Sequence, residues 1–279
     1  MDNEKILELK RIATEIRIGA VDAVYNAKSG HPGGALSASD ILACLYFSEL
    51  NINPETPSNP DRDRFVLSKG HSCPALYSAM ALRGYFSREE LKKFRHLGSI
   101  TQGHPDMKIL KGIDMSAGSL GQGFSCACGM ALAGKIDKKG YRVYTMIGDG
   151  ESQEGQIWEA VMFAAHYKLD NLCLIIDNNG LQIDGKVKDV MNTMPYASKF
   201  KAFGWNVITI DGHSIEEILN AFESARAVKG KPTVIVAKTI KGKGVSFMEN
   251  EAGWHGKAPH DAEYAQAISE LTELKNGLK

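Results

Sequence analysis

Apolar residues at Ile6, Leu9, Ile12, Ile16, Ile18, Val21 and Val24 recur at helical spacing, which predicts a long amphipathic helix over residues 4–27. It stops at Lys28-Ser29-Gly30-His31-Pro32-Gly33-Gly34, where glycines and a proline forbid continuation. Ser37-Ala38-Ser39-Asp40, an acidic residue three after a serine, reads as a capping-box-like start to a second helix through Ile41, Leu42 and Leu45. Residues 51–62 are a proline-rich loop. Arg64 to Ser68 is a short apolar strand running into Lys69-Gly70-His71, and a helix follows over 74–83. Ser87-Arg88-Glu89-Glu90 forms another capping box before Leu91. Residues 97–118 are glycine-rich loop, and Gly118-Ser119-Leu120-Gly121-Gln122-Gly123 opens a helix of small residues reaching about Ile136.

The centre of the pattern is Tyr141 to Gly185, which reads as strand, glycine turn, amphipathic helix, strand and polar turn. It has the size of one βαβ unit. Because such crossovers are right-handed, the ends of its two strands lie side by side on one sheet edge. Trp205–Ile210 is a further strand, Ser214-Ile215-Glu216-Glu217 caps a helix to about Val228, and Thr233–Ala237 is another strand. A basic, glycine-broken loop covers Lys238–Gly244, and a final helix runs from Asp261 to Leu274. Strands alternate with helices throughout. The predicted fold class is therefore α/β, a mainly parallel sheet with helices on both faces. Without an internal repeat or low-complexity linker, residues 1–279 read as a single domain.

Lysine plus arginine equals aspartate plus glutamate, 33 against 33, so the formal net charge is zero, and no segment is a sustained basic run. That argues against nucleic acid or an anionic membrane as the main partner. The charged start, MDNEKILELKRIATEIR, lacks the apolar core of a signal peptide. No apolar run approaches the ~18 residues of a membrane span. Five cysteines, an odd number without a CxxC pair, are expected to be reduced, buried small residues of a cytoplasmic protein.

Three constellations could carry chemistry. Asp149, in Gly148-Asp149-Gly150, ends the first strand of the central unit, and Asn178-Asn179 end the second. Asp149, Asn179 and one backbone carbonyl supply half of an octahedral oxygen shell, leaving phosphate oxygens and water for the rest, which suits a magnesium–diphosphate. A strand-to-helix turn capped by Asp149 is the plainer alternative. The second constellation is His31, His71, His104, His213 and His255, each beside a glycine in a predicted loop. Loops at the carboxyl ends of strands line the ligand crevice of open α/β sheets; His71 directly follows a strand, and Lys69 beside it could meet a phosphate. His213 belongs to the turn before a capped helix, and His96, His166 and His260 lack a strand-end setting, so these four are expected to be structural. Third, the glycines of 118–123 allow either close helix packing or close approach of backbone to a ligand.

Taken together, these residues resemble a known family. The unit from Gly148-Asp149-Gly150 to Asn178-Asn179 looks like the thiamine diphosphate fingerprint. The GHPGG, SKGH, GHPD, GSLGQG and WHGKAP segments fall in the order and spacing of the N-terminal, diphosphate-binding domain of transketolase. The resemblance covers essentially the whole chain. It implies that Asp149, Asn179 and the Leu181 carbonyl bind the metal, Mg2+ or another divalent cation such as Ca2+ or Mn2+. It implies that Gly150, Asn179, His71, Lys69 and Lys241 surround thiamine diphosphate, with Lys241 and His255 near its phosphates, and that Gly118, Ser119 and Leu120 pass under the aminopyrimidine. His31, His104 and His255 are implied to face sugar hydroxyls and assist proton transfer, and Glu154 matches an interface glutamate that couples two active sites. Some relatives carry a hydroxyl residue where Gly34 stands.

One-chain transketolases continue into a pyrimidine-binding domain and a C-terminal domain, which supply a cofactor-activating glutamate and arginines for the sugar phosphate. The expectation is therefore the N-terminal subunit of a split transketolase, working with a separate C-terminal subunit in an α2β2 assembly. The implied reaction moves a two-carbon ketol unit from a ketose phosphate to an aldose phosphate, the chemistry of pentose phosphate metabolism. Rival readings are the α-type subunit of a 2-oxo acid dehydrogenase, which lacks the GHP and WHGK segments; a deoxyxylulose phosphate synthase; a transketolase for an unusual sugar; and a non-catalytic cofactor-binding fragment.

Overall fold

A computed structural model describes residues 3–278. The first two residues of the charged start and the last residue of the expected domain lie outside the described residues. The elements in chain order are α1 (Asn3–Ala27), α2 (Pro32–Cys44), β1 (Arg64–Leu67), α3 (Cys73–Arg83), α4 (Gln122–Ile136), β2 (Val143–Gly148), α5 (Gly155–His166) and β3 (Leu172–Asn178), then β4 (Leu181–Gln182), β5 (Gly185–Lys186), α6 (Val187–Val190), α7 (Tyr196–Ala202), β6 (Asn206–Asp211), α8 (Ile215–Ala227), β7 (Thr233–Lys238) and α9 (Asp261–Gly277).

Five strands form one parallel sheet in the order β1-β2-β3-β7-β6, and β4-β5 is a separate two-residue hairpin. Alternate residues of each strand enter different cores, as the period of two requires. Tyr144, Met146, Cys173, Ile175, Ile235 and Ala237 face one core with α1, α2, α3 and α8. Val143, Ile147, Leu172, Leu174, Ile176, Val234 and Val236 face the other with α4, α5 and α7. A third cluster packs α9 on α1 and α2 through Val21, Leu36, Val245, Met248, Trp254, Ala267 and Leu271. Strands buried on both faces explain why they read as continuous apolar runs rather than alternating ones.

The second helix begins five residues earlier than the Ser37 start predicts. Pro32 occupies its first turn, where a missing N–H costs nothing. Ser37 is then interior: its hydroxyl lies 2.6 Å from Asp177 Oδ2 rather than capping. Asp40 is likewise interior, paired with Arg17 and His213. Ser87 does cap, but it starts a 3-10 turn over Arg88–Lys93 rather than an α-helix. Ser214 caps α8 through Glu217 N–H at 3.3 Å. The hairpin, α6 and α7 were not expected from the sequence; elements of two, four and seven residues are too short to show a period. The cysteines are all free; Cys44, Cys73, Cys128 and Cys173 are buried and Cys126 is half-buried.

Candidate active site

The register of the sheet creates the site. Gly148 at the end of β2 pairs with Asp177 on β3, and Asn178 pairs with Lys238 on β7, so three strand ends finish together. A cavity of about 220 Å3 opens there, at the carboxyl edge where open α/β sheets bind ligands. Its wall includes Gly34, Lys69, His71, Leu120, Asp149 to Glu151, Glu154, Asp177, Asn179, Leu181, Lys241 and His255. Ten of the fourteen site residues singled out from the sequence line it; His31, His104, Gly118 and Ser119 do not. Gly118 and Ser119 are exposed just before Leu120, and His104 sits beside Gly118, where an added Cβ would lie 3.7 Å from its ring.

Asp149 is buried at the floor. Its Oδ1 accepts from Asn178 Nδ2 and Tyr196 OH, both at 2.8 Å, and its Oδ2 accepts from Gly180 N–H at 2.6 Å. Burial outweighs these donors and pushes the carboxyl up to about 6. Asn179 Oδ1 accepts from Leu181 N–H at 3.1 Å, which fixes that loop beside the carboxylate. A Ser152–Thr193–Tyr196 hydroxyl network, with contacts of 2.8–2.9 Å, braces Asp149 from the α7 side.

Cations converge on the opposite wall. Lys241 is buried, and its ammonium is pushed down to about 8, first by burial and then by Lys69. Its Nζ lies 2.8 Å from His255 Nδ1. The His31, His71 and His255 rings form a triangle with centroids 5.0–5.4 Å apart. Burial, then neighbouring cations, pushes His31 down to about 4; in His255 burial followed by Lys241 gives about 3. His71 and His104 are lowered too, again chiefly by burial.

Lys69 differs from expectation in one respect. It lines the cavity, yet its ammonium is already neutralised by Asp177 at 2.5 Å and donates to the Gly34 carbonyl at 2.8 Å. Glu154 is exposed at the rim, at the N-cap of α5. His213 is structural, as expected: it bridges Asp40 and the Ile240 N–H. His260 caps α9. Of the two readings of the 118–123 glycines, close packing holds at Gly123, and Gly121 has a backbone reason of its own. Gly121 needs its φ of +83°, while a Cβ on Gly123 would lie 2.8 Å from the Ser68 Cα. A Cβ on Gly34 would meet Ser72 Oγ at 2.8 Å, so this wall fits glycine.

Two residues escape a reading of the sequence. Asp177 lies within what looks like an apolar strand. Glu151 is buried and joins three loops: its Oε1 accepts from Ser68 Oγ at 2.5 Å and Gly121 N–H at 3.0 Å, and its Oε2 accepts from Gly148 N–H at 3.2 Å. A polar residue directly after the GDG turn is the one signal that points to it.

The residues fit a metal–diphosphate. One wall holds a carboxyl whose ionised form lacks a cation; the other holds an ammonium and imidazoles that lack an anion. Among the described residues no group of three His, Cys, Asp or Glu side chains could hold a metal ion. Fold and site together define a diphosphate-binding α/β domain. Residues 9–273 match the transketolase, thiamine diphosphate binding domain family, and the chain belongs to that family. It is 46% identical over 269 residues to a 6-deoxy-6-sulfo-D-fructose transketolase subunit of Clostridium sp. (strain MSTE9), covering 96% of this chain and 98% of that one. It is 44% identical to an apulose-4-phosphate transketolase subunit of Phocaeicola vulgatus, covering 91% and 90%. Campylobacter jejuni transketolase superposes with a TM-score of 0.90 at 34% identity over the whole of this chain, which spans 46% of that longer one.

Proposed function

We propose that this chain is the N-terminal, thiamine diphosphate-binding subunit of a split, Mg2+-dependent transketolase that works in the cytoplasm with a separate C-terminal subunit, in an α2β2 assembly. The observation that carries the cofactor reading is one cavity at three strand ends, lined by the Asp149 carboxyl, Asn179 and Leu181 together with Lys241 and His255. Burial disfavours the charged forms of Asp149 and Lys241 alike. A divalent cation bridged to a diphosphate relieves both at once. Asp149, the Asn179 side-chain oxygen and the Leu181 carbonyl would hold the metal, and Ca2+ or Mn2+ would suit the same oxygens. Lys241 and His255 would meet the phosphates, with His71 beside them and the backbone of Gly118, Ser119 and Leu120 as a platform for the ring.

When bound, thiamine diphosphate supplies a carbon nucleophile and an electron sink. The chain's own part is to orient the ketose and aldose, exclude water and hold protons at His31, His104 and His255. Support for the split arrangement comes from the two relatives that are themselves subunits, matched over 98% and 90% of their lengths. Glu154, exposed at the rim, would meet another protein chain.

Those two relatives also favour a second reading, in which the sugar is not an ordinary pentose or hexose phosphate. The deciding experiment pairs the chain with a C-terminal subunit, then measures ketol transfer across a panel of sugar phosphates, with a sulfonated ketose and apulose 4-phosphate included. Transfer that requires both thiamine diphosphate and Mg2+ is expected. Its absence with every donor, or its persistence after the metal is chelated, would overturn the proposal.

A further inference from the structure

The histidine triangle contains more than ring positions. Lys241 Nζ lies 2.8 Å from His255 Nδ1, and Arg95 Nη2 lies 3.4 Å from His31 Nδ1. Ammonium and guanidinium groups possess donors only. A ring nitrogen that faces one of them must accept, and a neutral imidazole accepting at Nδ1 carries its proton at Nε2. Arg95 is itself held in place. Its Nη1 donates to Ser29 Oγ at 2.6 Å, and a Cβ on Gly103 would lie 3.1 Å from its Nε.

We infer that Arg95 and Lys241 are positioning residues that lock His31 and His255 in the tautomer with the proton on Nε2, so that the pair offers two N–H donors to an oxygen-rich ligand. Burial together with these cations keeps both rings neutral at physiological pH. The three donors of Lys241 let it serve His255 and a phosphate oxygen together.

The chemical consequence rests on the ketol-transfer reading; the ring assignment does not. A neutral ring with its proton on Nε2 donates to a substrate oxygen at that atom and takes no proton there. His31 and His255 then stabilise charge building on that oxygen, and proton acceptance falls to another group.

His213 is a built-in reference of the opposite kind. Its Nε2 accepts from Ile240 N–H at 2.8 Å, so its proton is on Nδ1, 2.7 Å from Asp40 Oδ2.

The test is a long-range nitrogen–proton correlation spectrum of the histidine rings in the full chain, labelled with 15N-histidine, without added cofactor at pH 6.5, where both rings are neutral and Lys241 is an ammonium. His31 and His255 are expected to show protonated Nε2, and His213 protonated Nδ1. Arg95→Met should release His31 into a mixture of tautomers while leaving His213 unchanged; Arg95→Lys should preserve the lock. Protonated Nδ1 or a tautomer mixture at either wild-type ring would overturn the inference, as would an unchanged His31 pattern in Arg95→Met. If Arg95→Met fails to fold, the His213 pattern is lost and the wild-type and Arg95→Lys spectra decide. A wild-type chain that fails to bind thiamine diphosphate with Mg2+ in a separate titration would sink the functional reading and leave this one standing.

Discussion

Lys69 and Asp177, 108 residues apart in sequence, meet at 2.5 Å with both side chains buried, at the junction of two strand ends. Asp177 also accepts from Ser37 Oγ at 2.6 Å and from Thr239 Oγ1. Burial pushes this carboxyl up, but Lys69 and the two hydroxyls outweigh burial and hold it below its ordinary value. A lowered folded value means stability that is present above the unfolded carboxylate pKa and is lost as pH falls through the folded one. Lys69→Met strands a buried carboxylate, which costs about 3–5 kcal/mol. Urea unfolding should show that loss, and acid unfolding followed by circular dichroism should move to higher pH. Unchanged midpoints in both would mean that the pair is not what stabilises this junction.

Asp149 has the opposite sign. Its folded value, about 6, lies above the ordinary carboxyl value of 3.8, so the metal-free chain loses stability as pH rises through that window. Asp149→Asn removes the charge but sets an amide NH2 against groups that donate to the carboxylate, so no net gain in stability is expected; it should abolish Mg2+-dependent cofactor binding. In the wild type, cofactor affinity should fall about tenfold per pH unit below pH 6, because the ligand must be ionised. Calorimetric titration between pH 5 and 8 checks this; a flat profile would remove Asp149 from the metal site.

Glu151→Gln sets an amide against backbone N–H groups where a carboxylate accepts from three donors. A cost of about 1–3 kcal/mol is expected. Because Ser68, Gly121 and Gly148 anchor three loops of the cavity, thiamine diphosphate affinity should weaken as well. A lower melting temperature with unchanged affinity would show that Glu151 serves the fold alone.

Gly123→Ala pushes a methyl group against the Ser68 backbone at 2.8 Å. About 1–3 kcal/mol of overpacking is expected, together with displacement of the Lys69–His71 turn. Thermal unfolding measures the first effect, and histidine ring shifts at His71 report the second.

His31→Ala and His104→Ala should keep cofactor affinity but slow ketol transfer by about 10²–10⁴ in the reconstituted pair. Collapse of cofactor binding instead of turnover would contradict their placement toward the sugar.

Much of this was legible from local pattern. Helices α1, α3, α4, α5, α8 and α9 follow from apolar spacing and from capping or glycine turns, the five sheet strands follow from short apolar runs, and the metal corner follows from where two strands end. The hidden parts are non-local. Asp177 lies in an apolar run, and only the fold reveals that Lys69 arrives beside it. Pro32 begins α2 because the proline tolerates a first turn, whereas Ser37 looks like a cap until its partner across the sheet edge is known. Arg95 lies in a loop with no periodic signal, and its role depends on a ring 64 residues away.

Helix α2 buries all thirteen of its residues, polar Ser37, Ser39 and Asp40 among them. Most helices keep a wet side where evolution can drift without consequence. This one has no such side: each position is committed to a core, to Asp177, to Arg17 and His213, or to the cavity wall. In a saturation library of the chain, α2 should be its least permissive stretch.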